Sequence, residues 1–418
     1  MKNRIIALIA ALVLAVSSFA VSFETDRTWY LAGEAMKVRV VADDARIVYA
    51  ELCDVNSLAA GVAICINEGR GEGTIELPTD LHSGYYVLSV YTRHNANVSQ
   101  QLVAIVNTLH RSEDDDIEWV KLSDSESESF VTTGVSPNTF LLPPSTIPVD
   151  ERETEGHIIK ARVQNVYDGR NYRGSQIRPS LSIIGKQIHY FEGKMVNDSI
   201  AVFYTYGIQG KQPLVLSAAT HTGVSLPIEM MSPFAALLPN KLPHLVFHYK
   251  RSEVEARSID MQRHQLAIAA TEEESEDQLS VEPLDYDDTV FGIKPELSYN
   301  LNEYRQFRTV REVLLEYVNC VRYRRTDNVP QLFVREEQGS YNSSWPAMVL
   351  IDGMPVINID RLLNYDARRV HYINIYGGQF TFGNGVYNGI LSFITRSGRL
   401  TNYPTEPNVQ YLVYEFPK

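Results

Sequence analysis

The residues in this 418-residue chain whose types could do chemistry do not assemble into a catalytic pattern. An enzyme needs a nucleophile, a base or a metal set at workable spacing. The chain has no Gly-x-Ser-x-Gly elbow, no His-Glu-x-x-His and no Gly-rich loop ending in Lys-Ser or Lys-Thr. His244 and His248 stand four apart, a spacing that puts two imidazoles on one helical face for a metal. Their neighbours Leu245, Val246, Phe247 and Tyr249 read instead as a strand, which leaves both rings at the surface. His189, beside Tyr190 and Phe191, reads the same way. Gly383-Asn384-Gly385 lies between strand-like segments and is turn chemistry, not a phosphate cradle. The carboxylate runs at 113–116 and 272–274 lack the glycine-punctuated alternation of a calcium loop. No catalytic residue, metal or cofactor is assigned, and a non-enzymatic protein is expected.

Two other groups have spacing worth following. Cys53 and Cys65 are close enough in sequence to bridge neighbouring strands as a disulfide, which leaves Cys320 unpaired; the alternative is three small buried thiols. The segments 341–345 and 372–387 are rich in rings. Tyr341, Trp345, Tyr376, Phe380, Phe382 and Tyr387 supply the large rigid area that dominates protein interfaces, so they are the candidate partner-binding residues. The competing reading makes them a domain's own core.

These residues sit on a mainly β chain with a short leader. Lys2 and Arg4, the apolar run Ile5 to Val16 and the small residues Ser18 and Ala20 make an export signal with cleavage after Ala20, although cleavage after Ser22 also fits. No cysteine follows that run to carry a lipid, and no later stretch is apolar enough for a membrane helix. The formal net charge of −13 argues against nucleic acid as a partner. Acidic, proline-bearing stretches at 111–150 and 271–289 read as solvated linkers. They leave three blocks. Residues 21–110 alternate as half-buried strands do, with Met36, Val38 and Val40 between Lys37 and Arg39, and form a β-sandwich. Residues 151–270 form a second sandwich, although the proline-broken run 227–243 fits no period. Residues 290–400 mix the periods and are α+β, followed by a tail at 401–418. There Thr309 and Glu312 make a capping box, and Val310, Val313, Leu314, Tyr317 and Val318 share one helical face. Asp352-Gly353 between apolar runs marks a tight hairpin turn.

The third block resembles the plug domain of TonB-dependent outer-membrane receptors, in the version common among Bacteroidetes. The resemblance rests on an ordered series: the helix Val310 to Val318, the strand–turn–strand Pro346 to Val356 around Asp352-Gly353, Asp366 to Val370 before the strand His371 to Tyr376, and Gly389 opening the strand through Thr395. A receptor would continue into a many-stranded barrel, whereas 20 residues follow Gly398 here and no coupling box follows the leader. The first block is similar to the macroglobulin-type β-sandwich of the alpha-2-macroglobulin superfamily. Thr25 to Glu34, with Tyr30 before Gly33-Glu34, resembles its opening, and Leu77-Pro78 followed by Gly84-Tyr85 resembles its later strand entry. The Cys-Gly-Glu-Gln thioester is not present at Cys53, Cys65 or Cys320, so no thioester chemistry is implied.

The expectation is therefore two tandem β-sandwiches of macroglobulin or Ig-like type, followed by a small plug-like α+β domain. The chain would be exported to the periplasm or outer membrane as a binding or assembly protein. Its plug-like end would dock onto an envelope partner, either an outer-membrane barrel or a binding lipoprotein. Two further readings stand beside this one: an accessory plug of a transport system, and an envelope enzyme with an unrecognised site.

Overall fold

The computed structural model describes residues 21–123, 128–133, 146–184, 188–220, 223–277, 292–326, 329–335, 345–382, 385–400 and 403–418. The leader with Ala20, Tyr341 and Gly383-Asn384 lie outside the described residues. The fold is mainly β and divides into two compact units. One is the chain up to Gly156 with Phe234–Ser275 and Pro417–Lys418; the other is His157–Pro233 with Glu276–Phe416.

The first unit is built on a sandwich. A three-stranded sheet has Ala35–Val41 between Ser22–Thr25 and Arg70–Glu76. A five-stranded sheet runs in the order Trp29–Leu31, Val98–Val106, Gly84–Tyr91, Ile47–Cys53, Leu58–Cys65. Met36, Val38 and Val40 of the first sheet share a core with Val48, Ala50, Leu52, Tyr86 and Leu88 of the second, while Lys37 and Arg39 are exposed. The two central strands Ile47–Cys53 and Gly84–Tyr91 are buried at every position. A strand with two buried faces needs two covers. Over Trp29, Tyr85 and Val106 the second cover is a further sheet in which Leu245–Tyr249 lies between Ile117–Lys121 and Phe130–Thr133; over Ile47, Tyr49 and Tyr91 it is Ile147 with Phe234 and Leu237. Leu245 and Phe247 pack on Trp29, Tyr85, Ala104 and Val106.

This architecture corrects the boundaries read from composition. Part of the stretch 111–150, read as linker, is strand, because Ile117 and Val131 have the apolar pair Leu245 and Phe247 to flank. Residues 234–270, read as the end of the second sandwich, belong to the first unit. Most of the helix Arg251–Asp277 lies in that stretch, where strands were expected. Val254, Arg257, Met261 and Gln265 fall on one helical face, and two of the four are polar. Arg257 donates to both oxygens of the buried Glu34, from Nε at 2.9 Å and Nη2 at 2.5 Å, and its guanidinium lies 3.7 Å from the Trp29 ring centre. Gln265 Nε2 donates to the Gly33 carbonyl at 2.7 Å. A face anchored this way carries no continuous hydrophobic stripe to read.

The run 227–243 also finds its place. Ile228–Met230 is a strand of the second unit, and the chain from Phe234 is held on the first by Glu51. Glu51 is fully buried, and its carboxylate accepts from Leu237 N at 2.7 Å, Ala236 N at 3.1 Å and Tyr91 Oη at 2.9 Å. Tyr91 Oη in turn accepts from Ala235 N at 2.8 Å.

The proposed Cys53–Cys65 disulfide is not formed. Strand register pairs Cys53 with Leu58 at one end of the hairpin and Cys65 with Ile47 at the other, roughly 20 Å apart at about 3.3 Å per residue. Both are free thiols, as is Cys320. Burial pushes the Cys53 thiol up to about 12, helped by the nearby charges of Glu51 and Asp54.

The second unit joins a sandwich to the α+β block. One sheet runs Lys194–Met195, Ile200–Thr205, His157–Val163, Ile228–Met230; the other runs His189–Glu192, Ile177–Ile183, Gly210–Thr220, Gln410–Phe416. The stretch read as a tail thus supplies a strand of the sandwich, with Tyr414 and Phe416 in its core. The α+β block is a sheet in the order Leu297–Asn300, Val370–Phe382, Gly385–Thr395, Met348–Ile351, Met354–Pro355. The helices Val310–Glu316 and Ile359–Leu363 share its main core, which includes Val310, Val313, Leu362, Ile373 and Phe393. Thr309 Oγ1 accepts from Glu312 N at 3.3 Å, and Glu312 accepts from Thr309 N at 3.0 Å, closing the capping box.

Glu51→Ala should destabilise the first unit by about 3 kcal/mol, because it leaves two amides and a phenol without their acceptor. Chemical denaturation and faster hydrogen exchange at the Ala236 and Leu237 amides are the readouts. Alkylation of the unfolded, unreduced protein should label three thiols; a count of one would restore the Cys53–Cys65 bridge.

Candidate binding cleft and arginine face

The strand Ile177–Ile183 alternates by residue. Ile177, Leu181 and Ile183 enter the sandwich core, while Arg178, Ser180 and Ser182 point to the opposite face. Register adds Ser217, opposite Ser180, and Tyr190, opposite Ser182. Such a polar face is normally left to water. Here the α+β block covers it, and Ser180, Ser182 and Ser217 are all buried. The Ser180 and Ser217 hydroxyls lie 2.7 Å apart and satisfy each other. Ser182 Oγ and, from the covering sheet, Ser392 Oγ are buried with no protein partner.

Between face and cover lies a cleft of about 180 Å³. Its polar wall is Arg178, Ser180, Tyr190, Ser217, Thr220 and Tyr387; its apolar wall includes Leu332, Met348, Val349, Val356 and Ile359. Arg178 is half-buried. Its Nη1 donates to Tyr387 Oη at 3.3 Å, at the long end of hydrogen bonding, and its charge lies 5.9 Å from that ring's centre. Its Nε is buried without a partner, and among the described residues it forms no ion pair. Burial pushes the Tyr190 hydroxyl well above its usual range, with the Tyr387 and Glu192 oxygens adding to the rise and Arg178 opposing it. Burial raises Tyr387 too, again opposed by Arg178. Both phenols are neutral near pH 7 and retain a proton to donate.

The six aromatic candidates separate in this setting. Tyr376 is 1% exposed and packs with Met348, Leu350 and Ile390, so it is core and not partner-binding surface, because it shares the inward face of its strand. Phe380, Phe382 and Tyr387 are half-buried and form one cluster. The two Phe rings stack at 6.3 Å, Tyr387 lies 6.1 Å from Phe382, and Tyr190 meets Phe382 edge-on at 5.8 Å. Trp345 is 48% exposed and remains a surface ring.

Asp352 and Gly353 take φ of +47° and +88°, the two left-handed positions of a tight hairpin turn. Asp352 does more than turn the chain. It is 1% exposed, and its carboxylate accepts from Thr395 N at 2.7 Å, Thr395 Oγ1 at 2.5 Å and Leu400 N at 2.9 Å. Gly389 has φ +83°, and a Cβ there would come within 3.0 Å of Val334 and 3.2 Å of the Tyr376 carbonyl. His248, half-buried in its strand, stacks on Phe130 at 4.4 Å, while His244 meets Asp116.

A second feature is electrostatic. Residues 290–400 carry 13 Lys and Arg against 10 Asp and Glu, in a chain of net charge −13. Arg305, Arg368 and Arg396 line one shallow crevice with Tyr304, Phe307 and Tyr317. Arg308 and Arg369 flank it and are exposed. Arg368 is held by Asp366 through bonds of 2.8 and 2.7 Å, and Arg396 Nε donates to the Arg368 carbonyl at 2.6 Å. The guanidinium groups of Arg305 and Arg308 form no ion pair among the described residues. Beside them His371 is buried, and burial followed by the Arg396 charge lowers its pKa. Its Nε2 lies 3.2 Å from Asn302 Nδ2, and its Nδ1 has no partner. Sequence reading passed over both features, although the alternation from 177 to 183 and the local excess of arginine were there to be read.

Among the described residues no three His, Cys, Asp or Glu side chains converge as metal ligands, and no helix is long and apolar enough to cross a membrane. No protein-family model matches the chain, and no curated protein matches it. Solved structures similar to part of it include the BSP domain of a biofilm-associated protein, at 10% identity and TM-score 0.18 over 56% of this chain and 31% of that one. Others are a Salmonella alpha-2-macroglobulin variant, at 10% identity and 0.18 over 56% and 15%, and a tetra-tandem repeat from the extending region of a large adhesion protein, at 10% and 0.18 over 51% and 49%. The chain thus spans half or less of each of these proteins.

The lowered pKa of His371 has a sign. The unfolded chain takes up a proton near 6.5 and the folded site only at lower pH, so this contribution to stability is full above 6.5 and is lost as pH falls from there toward the folded value. His371→Phe should flatten the decline between neutrality and pH 5, read by thermal denaturation across pH.

Proposed function

We propose that the protein is an exported, non-enzymatic envelope protein whose plug-like α+β block docks onto an acidic face of an envelope partner, an outer-membrane barrel or a binding lipoprotein. The observation that carries this reading is the arginine face on an otherwise acidic chain. Arg305 and Arg308 are exposed and lack ion-pair partners among the described residues, beside the aromatic crevice of Tyr304, Phe307 and Tyr317. Planar, permanently charged guanidinium groups beside rings suit carboxylate recognition and steer association. Trp345 and the half-buried Phe380 and Phe382 offer further ring area on the same block. Export is supported by the leader of Lys2, Arg4 and the run Ile5 to Val16 ending at Ala20. The plug-like reading is supported by element order: helix, Asp352-Gly353 hairpin, short helix, long strand, then Gly389 and the strand after it. After this block the strand Gln410–Phe416 joins the sandwich sheet, which ties block and sandwich together.

The test is crosslinking in native cells followed by affinity purification of the tagged chain, with membrane and soluble fractions kept apart. A barrel or lipoprotein should be recovered from the membrane fraction, less at high salt. Arg305→Glu with Arg308→Glu should reduce recovery several-fold while the fold is retained. Equal recovery by the double variant, or turnover that one point substitution abolishes, would sink the proposal.

A further inference from the structure

We infer that the cleft above the sandwich sheet is a binding site for a small amphipathic carboxylate, with Arg178 as its anion-binding group. This does not rest on the docking proposal.

Four observations converge. Arg178 is the cation of the cleft, is half-buried, and has no ion pair among the described residues. Its one hydrogen bond to a described residue is the long contact to Tyr387, and no described carboxylate, Glu192 of the adjacent strand included, forms an ion pair with it. A partly desolvated charge is stabilised chiefly by a counter-charge, and a guanidinium fits a carboxylate with two parallel bonds. Neutral hydroxyls flank it: Tyr387 and Tyr190, kept protonated by burial, and the Ser180–Ser217 pair. These are added donors for a second carboxylate oxygen. The facing wall is apolar, with Leu332, Val349, Val356 and Ile359. A ligand satisfying both walls has an anionic head and a hydrocarbon body.

Size narrows the class. The cleft holds about 180 Å³, and a cavity of about 150 Å³ accepts a benzene ring. A single ring, or a short branched chain bearing one carboxylate, fills it. The apolar wall disfavours inorganic phosphate, which would leave it uncovered. Without the ligand, the polar face of Arg178, Ser180 and Ser182 under a protein cover has no evident rationale, since apolar residues there would pack more stably.

The experiment titrates the purified mature chain with phenylacetate and, separately, with uncharged phenylacetamide. Binding is followed by calorimetry and by amide shifts around Arg178 and Tyr387. Phenylacetate should bind about tenfold or more tightly than the amide, and Arg178→Gln should lose about that factor. Arg178→Lys, which keeps the charge without the fork, should fall between them. The acid–amide comparison uses the unaltered protein, so it stands even if a variant folds poorly. Equal binding of acid and amide, shifts that map elsewhere, or no phenylacetate binding at millimolar concentration overturns the assignment. A peptide ending in a free phenylalanine carboxylate that binds far better than phenylacetate would replace the small ligand with a chain terminus. Arg178→Gln should leave partner recovery unchanged, and the Arg305 and Arg308 substitutions should leave phenylacetate binding unchanged, so either proposal can fail alone.

Discussion

A β-sheet face is stable in one of two conditions: apolar and covered, or polar and wet. The sheet containing Ile177–Ile183 breaks that rule on its outer face, where Arg178, Ser180, Ser182 and Ser217 lie beneath the α+β block. Much of the second unit follows from this. The block is fixed above the polar face by apolar contacts at its margins, where Ile184 and Val215 join one core and Ile188 and Tyr190 join another. Between those margins the polar groups must satisfy one another or find a partner outside the protein. The Ser180–Ser217 pair does the first. Arg178 does so only through its long bond to Tyr387, and the cleft opens beside it.

Buried carboxylates do a different job in this protein. Glu51, Glu34 and Asp352 are each under a tenth exposed, and each takes backbone or guanidinium donors. Glu51 receives Ala236 and Leu237, Glu34 receives Leu31 and Arg257, and Asp352 receives Thr395 and Leu400. In every case an irregular stretch of chain is tied to a regular one through N–H groups that would otherwise be buried unpaired. Carboxylates engaged this way are structural. Their oxygens are already occupied by donors.

The sequence was most legible where period and turn chemistry act alone. Met36, Val38 and Val40, the Thr309–Glu312 box and the Asp352-Gly353 turn depend on neighbours within a few residues, and the structure has all three. It was least legible where long-range pairing overrides composition. The helix Arg251–Asp277 docks through Arg257 and Gln265 as much as through Val254 and Met261, so it carries no clean apolar stripe. The strands at 117–121 and 130–133 sit in acidic sequence and are strands because Leu245–Tyr249 comes between them from far along the chain. Cys53 and Cys65 are close in sequence, yet a hairpin register separates them. The cleft was hidden for a related reason. Arg178, Ser180 and Ser182 alternate as a solvent-facing strand does, and nothing local says that another element will cover them.

The two arginine features obey different electrostatics. Arg305 and Arg308 stand in water, where a pair of charges at 4 Å is worth only about 1 kcal/mol and is screened within about 10 Å at 0.1 M salt. A face of that kind sets encounter rate and orientation, and its contribution fades as salt rises. Arg178 lies half-buried against a protein wall, where the same charge acts through a lower effective dielectric and salt reaches it less. It would hold a carboxylate by geometry and hydrogen bonds instead of by long-range attraction. The surface arginines are therefore suited to finding a large acidic partner, and the cleft arginine to retaining a small one. The second unit can carry both because the physics that governs each leaves the other nearly untouched.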